Sequence, residues 1–275
     1  MLARQTGGAI RSTVRSRLRL GAAVTTAAVV AAISGSSAHQ AEVPGNREVF
    51  DVSLERTSGN LLMLRGRTVV ETRTGCGAIH TVQRSLAEAA FKEGPPVRTD
   101  FVSETWESSD GRALRFRVRS TQSSAGTERH EGTARLAPDG SGRVNFTSKD
   151  KSIALPRGTM FPGAFGRAMI EAAQQGRNLD NHPVFLGGKA LVTAAVKIGR
   201  PLARPQEGAR DPAHLLQGAA WPVLISYFPD RADLPASEVA VPLYANGLLG
   251  SLSLIYPGYS FQAKLVRVER LPSSC

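Results

Sequence analysis

Three carboxylates beside an aromatic side chain are the first residues of this 275-residue chain whose types and spacing could perform chemistry. Glu104, Glu107 and Asp110 surround Trp106, and a glycoside hydrolase needs two acidic groups placed across one cleft. Asp110, however, begins an Asp-Gly dipeptide, which commonly forms a tight turn between strands. We therefore interpret this cluster first as a hairpin turn and only second as an acid/base pair.

No other motif supplies a catalytic constellation. The histidines do not occur at metal-ligand spacings such as H-x-H or H-E-x-x-H. Ser148-x-x-Lys151 matches the S-x-x-K pattern of penicillin-binding enzymes, but the S-D-N and K-T-G partners are missing. We therefore predict a protein that is not an enzyme, with no catalytic residue, no cofactor and no metal ion. The histidines in question are His39, His80, His130, His182 and His214.

The first 38 residues have the pattern of a secretory signal peptide. Five arginines and no acidic residue precede an apolar run, and Ser36-Ser37-Ala38 supplies the small residues that a signal peptidase requires. We predict cleavage after Ala38 and export to the periplasm. The alternatives are an uncleaved anchor, for which an apolar run of about 14 residues is short, and a mitochondrial transit peptide.

Removal of residues 1–38 lowers the formal charge from +11 to +6, because 29 basic side chains then remain against 23 acidic ones. No block of like charges survives in 39–275, so we expect no binding to nucleic acid. No transmembrane segment is predicted in this part of the chain. No repeat or linker divides it, and we predict a single, monomeric domain over 39–275.

The chain contains two cysteines, Cys76 and Cys275. Two cysteines exclude a Cys₄ zinc or iron–sulfur site, and no Cys-x-x-Cys redox motif occurs. In an oxidising compartment, one intramolecular disulfide is the leading interpretation. Two free thiols, a redox pair and an intermolecular bridge remain open at this point.

Alternation of apolar and polar residues predicts that the chain folds mainly as antiparallel hairpins. The alternating stretches 102–106 and 114–118 are joined by a Gly-containing turn at 109–111. Further turns are predicted at 138–142, Asn246-Gly247 and Pro257-Gly258. Other predicted strands cover 50–54, 61–74, 79–88, 182–185, 190–196, 223–228 and 260–270.

Only the segment 163–176 has apolar residues at helical spacing, with Pro162 before it and Gly176 at its end. The polar segment 199–218 is predicted to be a surface loop. The spacing of turn signals favours an all-β, mainly antiparallel fold, either a sandwich, a barrel or a curled sheet. The helix would lie at the mouth or in the core of an open barrel.

Several short motifs occur along the chain in an order that resembles one known family. They are Phe50-Asp51-Val52-Ser53-Leu54, Cys76-Gly77, Gln83-Arg84, Trp106-Glu107-Ser108-x-Asp110-Gly111-x-x-Leu114-x-Phe116, Leu155-Pro156-x-Gly158-Thr159-x-Phe161-Pro162, Val184-Phe185-x-Gly187, Ser226-Tyr227-Phe228 and Cys275. Together they resemble the alphaproteobacterial periplasmic envelope-integrity proteins of the EipB type, over essentially all of 39–275.

This resemblance implies an open, spiral-like β-barrel with one helix packed near its interior. It also implies a disulfide between an early cysteine and a C-terminal one, here Cys76 and Cys275. The family supplies no catalytic residues to transfer. The segment Gly77-Ala78-Ile79 departs from the family, in which an acidic and an aromatic residue are expected after the first cysteine.

Three functional hypotheses follow. The first is a non-enzymatic periplasmic scaffold or binding module that supports envelope integrity, with an envelope protein or a lipid as its ligand. The second is a lipid or lipoprotein chaperone, because an open barrel with an apolar interior could hold an acyl chain. The third is a peptidoglycan-acting hydrolase that would use Glu104, Glu107 and Asp110.

Overall fold

A computed structural model of the chain describes residues 45–75, 77–148, 151–203, 208–212, 214–229 and 232–272. The described residues form fourteen strands and one helix. These elements are β1 Asn46–Thr57, β2 Leu61–Gly75, β3 Ala78–Phe91, β4 Val97–Ser108, β5 Ala113–Gln122, β6 Gly126–Leu136, β7 Gly142–Phe146, β8 Ser152–Leu155, α1 Pro162–Gln174, β9 Leu179–Val184, β10 Val192–Ile198, β11 Ala220–Phe228, β12 Ser237–Tyr244, β13 Leu252–Tyr256 and β14 Tyr259–Arg270.

All the strands belong to one antiparallel sheet. Its two edge strands, β8 and β9, are consecutive in the sequence. Strands β1 and β14 pair at its centre, and hairpins extend the sheet outwards to β8 on one side and β9 on the other. Helix α1 connects these two outer strands. The sheet is not closed, because β8 and β9 are its ends rather than neighbours. The predicted open, all-β fold with one helix is therefore confirmed.

Most predicted elements are present where local patterns placed them. The hairpin predicted around 109–111 is β4–β5, and the predicted helix is α1, which begins at Pro162 as a proline in the first turn allows. Strand β8 was not predicted, because its four residues are too few to show an alternation. The part of the predicted 199–218 loop that the structure describes contains neither helix nor regular strand.

Helix α1 fills one half of the curled sheet. Its buried face includes Phe165, Met169 and Ile170, which join a core cluster with the inward side chains of β9 to β14. Burying a side chain of this size contributes roughly 1.5–3 kcal/mol. The apolar stripe recognised in the sequence is therefore the contact that keeps the helix inside the sheet.

A smaller core cluster closes the side of the sheet formed by β5 to β8. Phe116 on β5 lies at its centre and makes edge-to-face contacts with Phe146 and Phe185, at centroid distances of 5.6 and 5.3 Å. Phe161, immediately before α1, belongs to the same cluster. This second core fixes the start of the helix against β5.

Candidate functional site

The interior of the sheet has an apolar half and a polar half. In the polar half, hydroxyl and amide side chains occupy many inward positions of β2, β3 and β4, between buried apolar residues such as Val70 and Phe101. Two cross-strand contacts join them: Thr68 Oγ1 to Ser85 Oγ at 2.9 Å, and Thr72 Oγ1 to Thr81 Oγ1 at 3.5 Å. The buried members of this polar lining are Thr68, Thr72, Thr74, Thr81, Gln83, Thr99 and Ser103.

A small cavity lies where the two halves meet. Its volume is about 60 Å³, and its walls combine apolar residues of β1, β13 and β14 with Thr68 and Ser85. Pockets that bind small molecules usually measure roughly 300–1,000 Å³. This cavity is therefore too small to enclose a whole lipid acyl chain.

Glu107 holds helix α1 in place rather than facing a cleft. It is a buried residue of β4, and its two carboxylate oxygens accept hydrogen bonds from the backbone N–H groups of Gly163 and Ala164, at 2.7 and 2.9 Å. These N–H groups lie in the first turn, where an α-helix leaves its donors unpaired and carries partial positive charge. Burial raises the pKa of Glu107, and the two hydrogen bonds and nearby Arg167 oppose that effect.

The other two carboxylates of the predicted cluster have separate partners. Glu104 contacts Nε2 of His80 at 2.9 Å, on the outer side of β4. Asp110 accepts hydrogen bonds from the Ser108 hydroxyl and the Arg112 N–H within the β4–β5 turn, and these bonds lower its pKa. The three acids therefore do not converge on one cleft, and the turn interpretation of Asp110 describes its contacts.

Glu48 is a buried carboxyl group that the sequence analysis did not single out. It lies on β1, its exposed fraction is 0%, and its Oε1 accepts a hydrogen bond from the Leu249 N–H at 3.1 Å. Oε2 has no hydrogen-bond partner among the described residues. Burial raises the pKa of Glu48 from 4.5 to about 8, and the bond from Leu249 only partly opposes this. Glu48 lies two residues before Phe50, so the alternation of Phe50 and Val52 places it on the same, inward face of β1.

The histidines do not gather into a metal site. His80 stacks on Trp106 at a centroid distance of 4.8 Å, and His130 lies beside Glu128 at 3.2 Å. Across the described ranges, no group of three or more His, Cys, Asp or Glu side chains could hold a metal ion. Ala38 and the rest of the predicted signal peptide lie outside the described residues, as do His39, Cys76 and Cys275.

A groove of about 660 Å³ runs along the outer side of β1 to β5. Three arginines and two acids on its walls form ion pairs: Glu88 with Arg65 at 2.9 Å and with Arg98 at 3.0 Å, and Asp51 with Arg67 at 2.7 Å. The arginines lower the pKa of Glu88. This groove, which we call the outer groove, is large enough for a segment of another molecule.

One apolar side chain lies exposed among these charges. Leu86 lines the outer groove, and 64% of its surface is accessible to solvent. Single exposed leucines are common, but a leucine in a concave groove between ion pairs resembles the apolar centre and polar rim of a protein–protein contact. The outer groove is therefore the candidate functional site of this fold.

Comparisons with known proteins identify the family. The profile of the family described as EipB-like matches residues 37–272. The chain belongs to the EipB-like family. It is 26% identical over 245 residues to the cell envelope integrity protein EipB of Brucella abortus (strain 2308), a match that covers 86% of this chain and 87% of that protein.

A solved structure agrees with this assignment. A crystal structure of a β-barrel-like protein of a domain of unknown function, from Brucella abortus, superposes with a TM-score of 0.75. The two chains are 26% identical, and the match covers 83% of this chain and 98% of that one. The fold implied by the resemblance to the EipB-like family is thus confirmed. The described helix is too short to cross a membrane.

Proposed function

We propose that this EipB-like protein supports cell envelope integrity as a non-enzymatic binding module in the periplasm. The observation that carries the proposal is its similarity to the EipB of Brucella abortus over nearly the whole length of both chains. The N-terminal pattern supports export, with 1–38 as a cleaved signal peptide and 39–275 as the mature domain.

The contacts of the acidic residues favour binding over hydrolysis. A glycosidase needs one carboxyl group with a raised pKa and a second within roughly 5–10 Å across the substrate. Both carboxylate oxygens of Glu107 accept hydrogen bonds from the N-terminus of α1. Glu104 is hydrogen-bonded to His80, and Asp110 to residues of its own turn. The small interior cavity likewise gives no support to the lipid-chaperone alternative.

We also propose that a disulfide joins Cys76 and Cys275. Strands β2 and β14 flank β1, run parallel to each other, and place Thr72 and Arg270 opposite the same residue, Asn46. Two strand spacings separate them by about 10 Å. Cys76 follows Thr72 by four residues and Cys275 follows Arg270 by five, so both segments leave the same end of the sheet. At roughly 3.3 Å per residue, they can meet.

We propose that the outer groove contacts an envelope protein and that Leu86 is its apolar anchor. A partner would bury this side chain, and its polar groups would meet the surrounding ion pairs. Leu234 offers a matched control, because it is also exposed, at 78%, and it lies in the segment before β12 rather than in the groove.

The test is complementation of a deletion strain challenged with detergent. We expect the wild-type chain and L234E to restore survival, and L86E and C76S/C275S to restore it weakly. We expect E107Q/D110N to restore survival in proportion to its amount in the periplasmic fraction, which immunoblotting measures. Full complementation by L86E would refute the groove, and failure of the folded E107Q/D110N variant would favour the hydrolase.

A further inference from the structure

We propose that the outer face of β5, β6 and β7 docks on a membrane surface rich in anionic phospholipid headgroups. Six exposed arginines project from this face, which we call the arginine face. They are Arg115, Arg117 and Arg119 of β5, Arg129 and Arg135 of β6, and Arg143 of β7. The inference rests on the proposed envelope location but not on the outer groove.

Most of this positive charge is not neutralised within the protein. Among the described residues, two of the six form ion pairs: Arg117 with Glu131 at 3.2 Å and Glu104 at 3.8 Å, and Arg119 with Asp100 at 3.4 Å. The other four arginines have no acidic partner among the residues that the structure describes. Of these, Arg115 packs over the Trp106 ring at 4.8 Å, which holds the guanidinium group without cancelling its charge.

Two pairs of these arginines lie directly opposite each other on neighbouring strands. Arg119 faces Arg129 across β5 and β6, and Arg135 faces Arg143 across β6 and β7. Like charges in directly opposed positions destabilise a sheet. Asp100 offsets the charge of Arg119, whereas Arg135 and Arg143 have no acidic partner among the described residues. A phosphate bound between Arg135 and Arg143 would remove their repulsion, which favours an anionic ligand.

The shape and chemistry of the face favour a membrane over a single small anion. Guanidinium groups bind phosphate oxygens in bidentate geometry. The two opposed pairs lie six residues apart along β6, roughly 20 Å at the rise of a strand, so the charges form a two-dimensional array. The exposed large apolar side chains, Leu62, Leu86, Leu202 and Leu234, all lie outside β5 to β7. Docking would therefore be electrostatic, without insertion.

Sedimentation with vesicles tests this proposal on the exported protein, purified without reductant. We would compare vesicles of phosphatidylcholine alone with vesicles containing one quarter phosphatidylglycerol, at low and high salt. We expect binding only to the anionic vesicles. Binding should be lost at about 0.5 M salt, where the Debye length falls to about 4 Å.

A charge-matched pair of variants locates the surface. The triple variant R115Q/R135Q/R143Q should bind anionic vesicles on the order of 100-fold more weakly, since each arginine near such a surface contributes about 1 kcal/mol, a factor of about five. The control R177Q/R200Q/R270Q removes three exposed arginines outside the face and should lose less than a factor of about five. Thermal unfolding verifies that both variants fold.

The proposal is overturned if the wild-type chain does not bind anionic vesicles, or if both triple variants lose binding equally, because the effect would then be one of net charge. Binding of a single-stranded oligonucleotide but not of vesicles would also overturn it in favour of a nucleic-acid ligand. Complementation of the deletion strain by the wild-type chain reports on the proposed envelope function separately, so the two proposals can fail independently.

Discussion

Glu48→Gln separates the cost of burying a carboxylate from the benefit of its one hydrogen bond. Glu48 is fully buried, and only Oε1 has a partner, the N–H of Leu249. Glutamine is isosteric with the protonated acid and can accept the same bond. The substitution therefore reproduces the neutral form of Glu48 at every pH.

The expected magnitude follows from linkage. The pKa of Glu48 is raised from 4.5 to about 8 in the folded protein, so the folded state holds a proton that the unfolded state releases between these values. The stability that this proton provides is complete below the unfolded pKa and is lost as pH rises towards the folded pKa. One pH unit in this window costs about 1.4 kcal/mol. Between pH 5.5 and pH 7.5, we expect wild type to lose about 2–3 kcal/mol relative to E48Q.

Urea unfolding at a series of pH values, followed by tryptophan fluorescence, measures this difference. Trp106 and Trp221 lie on separate strands, β4 and β11, and report on both sides of the sheet. We expect E48Q to be the more stable protein at pH 7.5 and the two proteins to converge towards pH 5. Parallel curves of unfolding free energy against pH would refute the reasoning, because Glu48 would then not titrate in this window.

Four further variants test other contacts. E107Q should lose about 1–3 kcal/mol of unfolding free energy, because the amide nitrogen of glutamine cannot accept a hydrogen bond from a helix N–H group. E48Q is the control for this variant, because the same Glu-to-Gln change should stabilise the protein at pH 7.5. F165A should cost about 3–5 kcal/mol in the same assay by emptying the contact between α1 and the sheet. G66A should cost about 1–3 kcal/mol, since a Cβ there would collide with the Leu86 carbonyl oxygen; an unchanged melting temperature would contradict this. C76S/C275S should lower stability by about 2–4 kcal/mol, and dithiothreitol should reproduce that loss in wild type but not in the variant.

The strands could be predicted because their signals are local. In β5, arginines alternate with Leu114, Phe116 and Val118, and a glycine-containing turn precedes them, so five residues are enough to indicate a half-buried strand. The helix was equally visible, because its apolar residues recur at helical spacing between Pro162 and Gly176. Strand β8 was missed for the opposite reason, since its four residues contain too little pattern.

The candidate site was only partly visible. The sequence drew attention to Glu107 as an acid beside Trp106, but its real contact is with Gly163, 56 residues away. Leu86 had no distinguishing feature in the sequence, because in an alternating strand it could face either side. Burial of Glu48 could have been predicted by extending the alternation of Phe50 two residues back along β1. An acidic residue, however, interrupts the apolar pattern on which such a prediction depends.

The sequence by itself determined the all-β class, the hairpins and the single helix, because hydrophobic period and turn chemistry are properties of neighbouring residues. It also predicts an N-terminal signal peptide, from the charge and hydrophobicity of residues 1–38. Only the tertiary structure decided that β1 pairs with β14, that α1 lies inside the sheet, and which carboxylates are buried. Strand pairing over some 200 residues leaves no local trace, since its energy comes from backbone hydrogen bonds that any sequence can form and from packing that depends on the whole sheet. The two proposed binding surfaces are set at that level, because the outer groove and the arginine face are built from residues that only sheet register brings together.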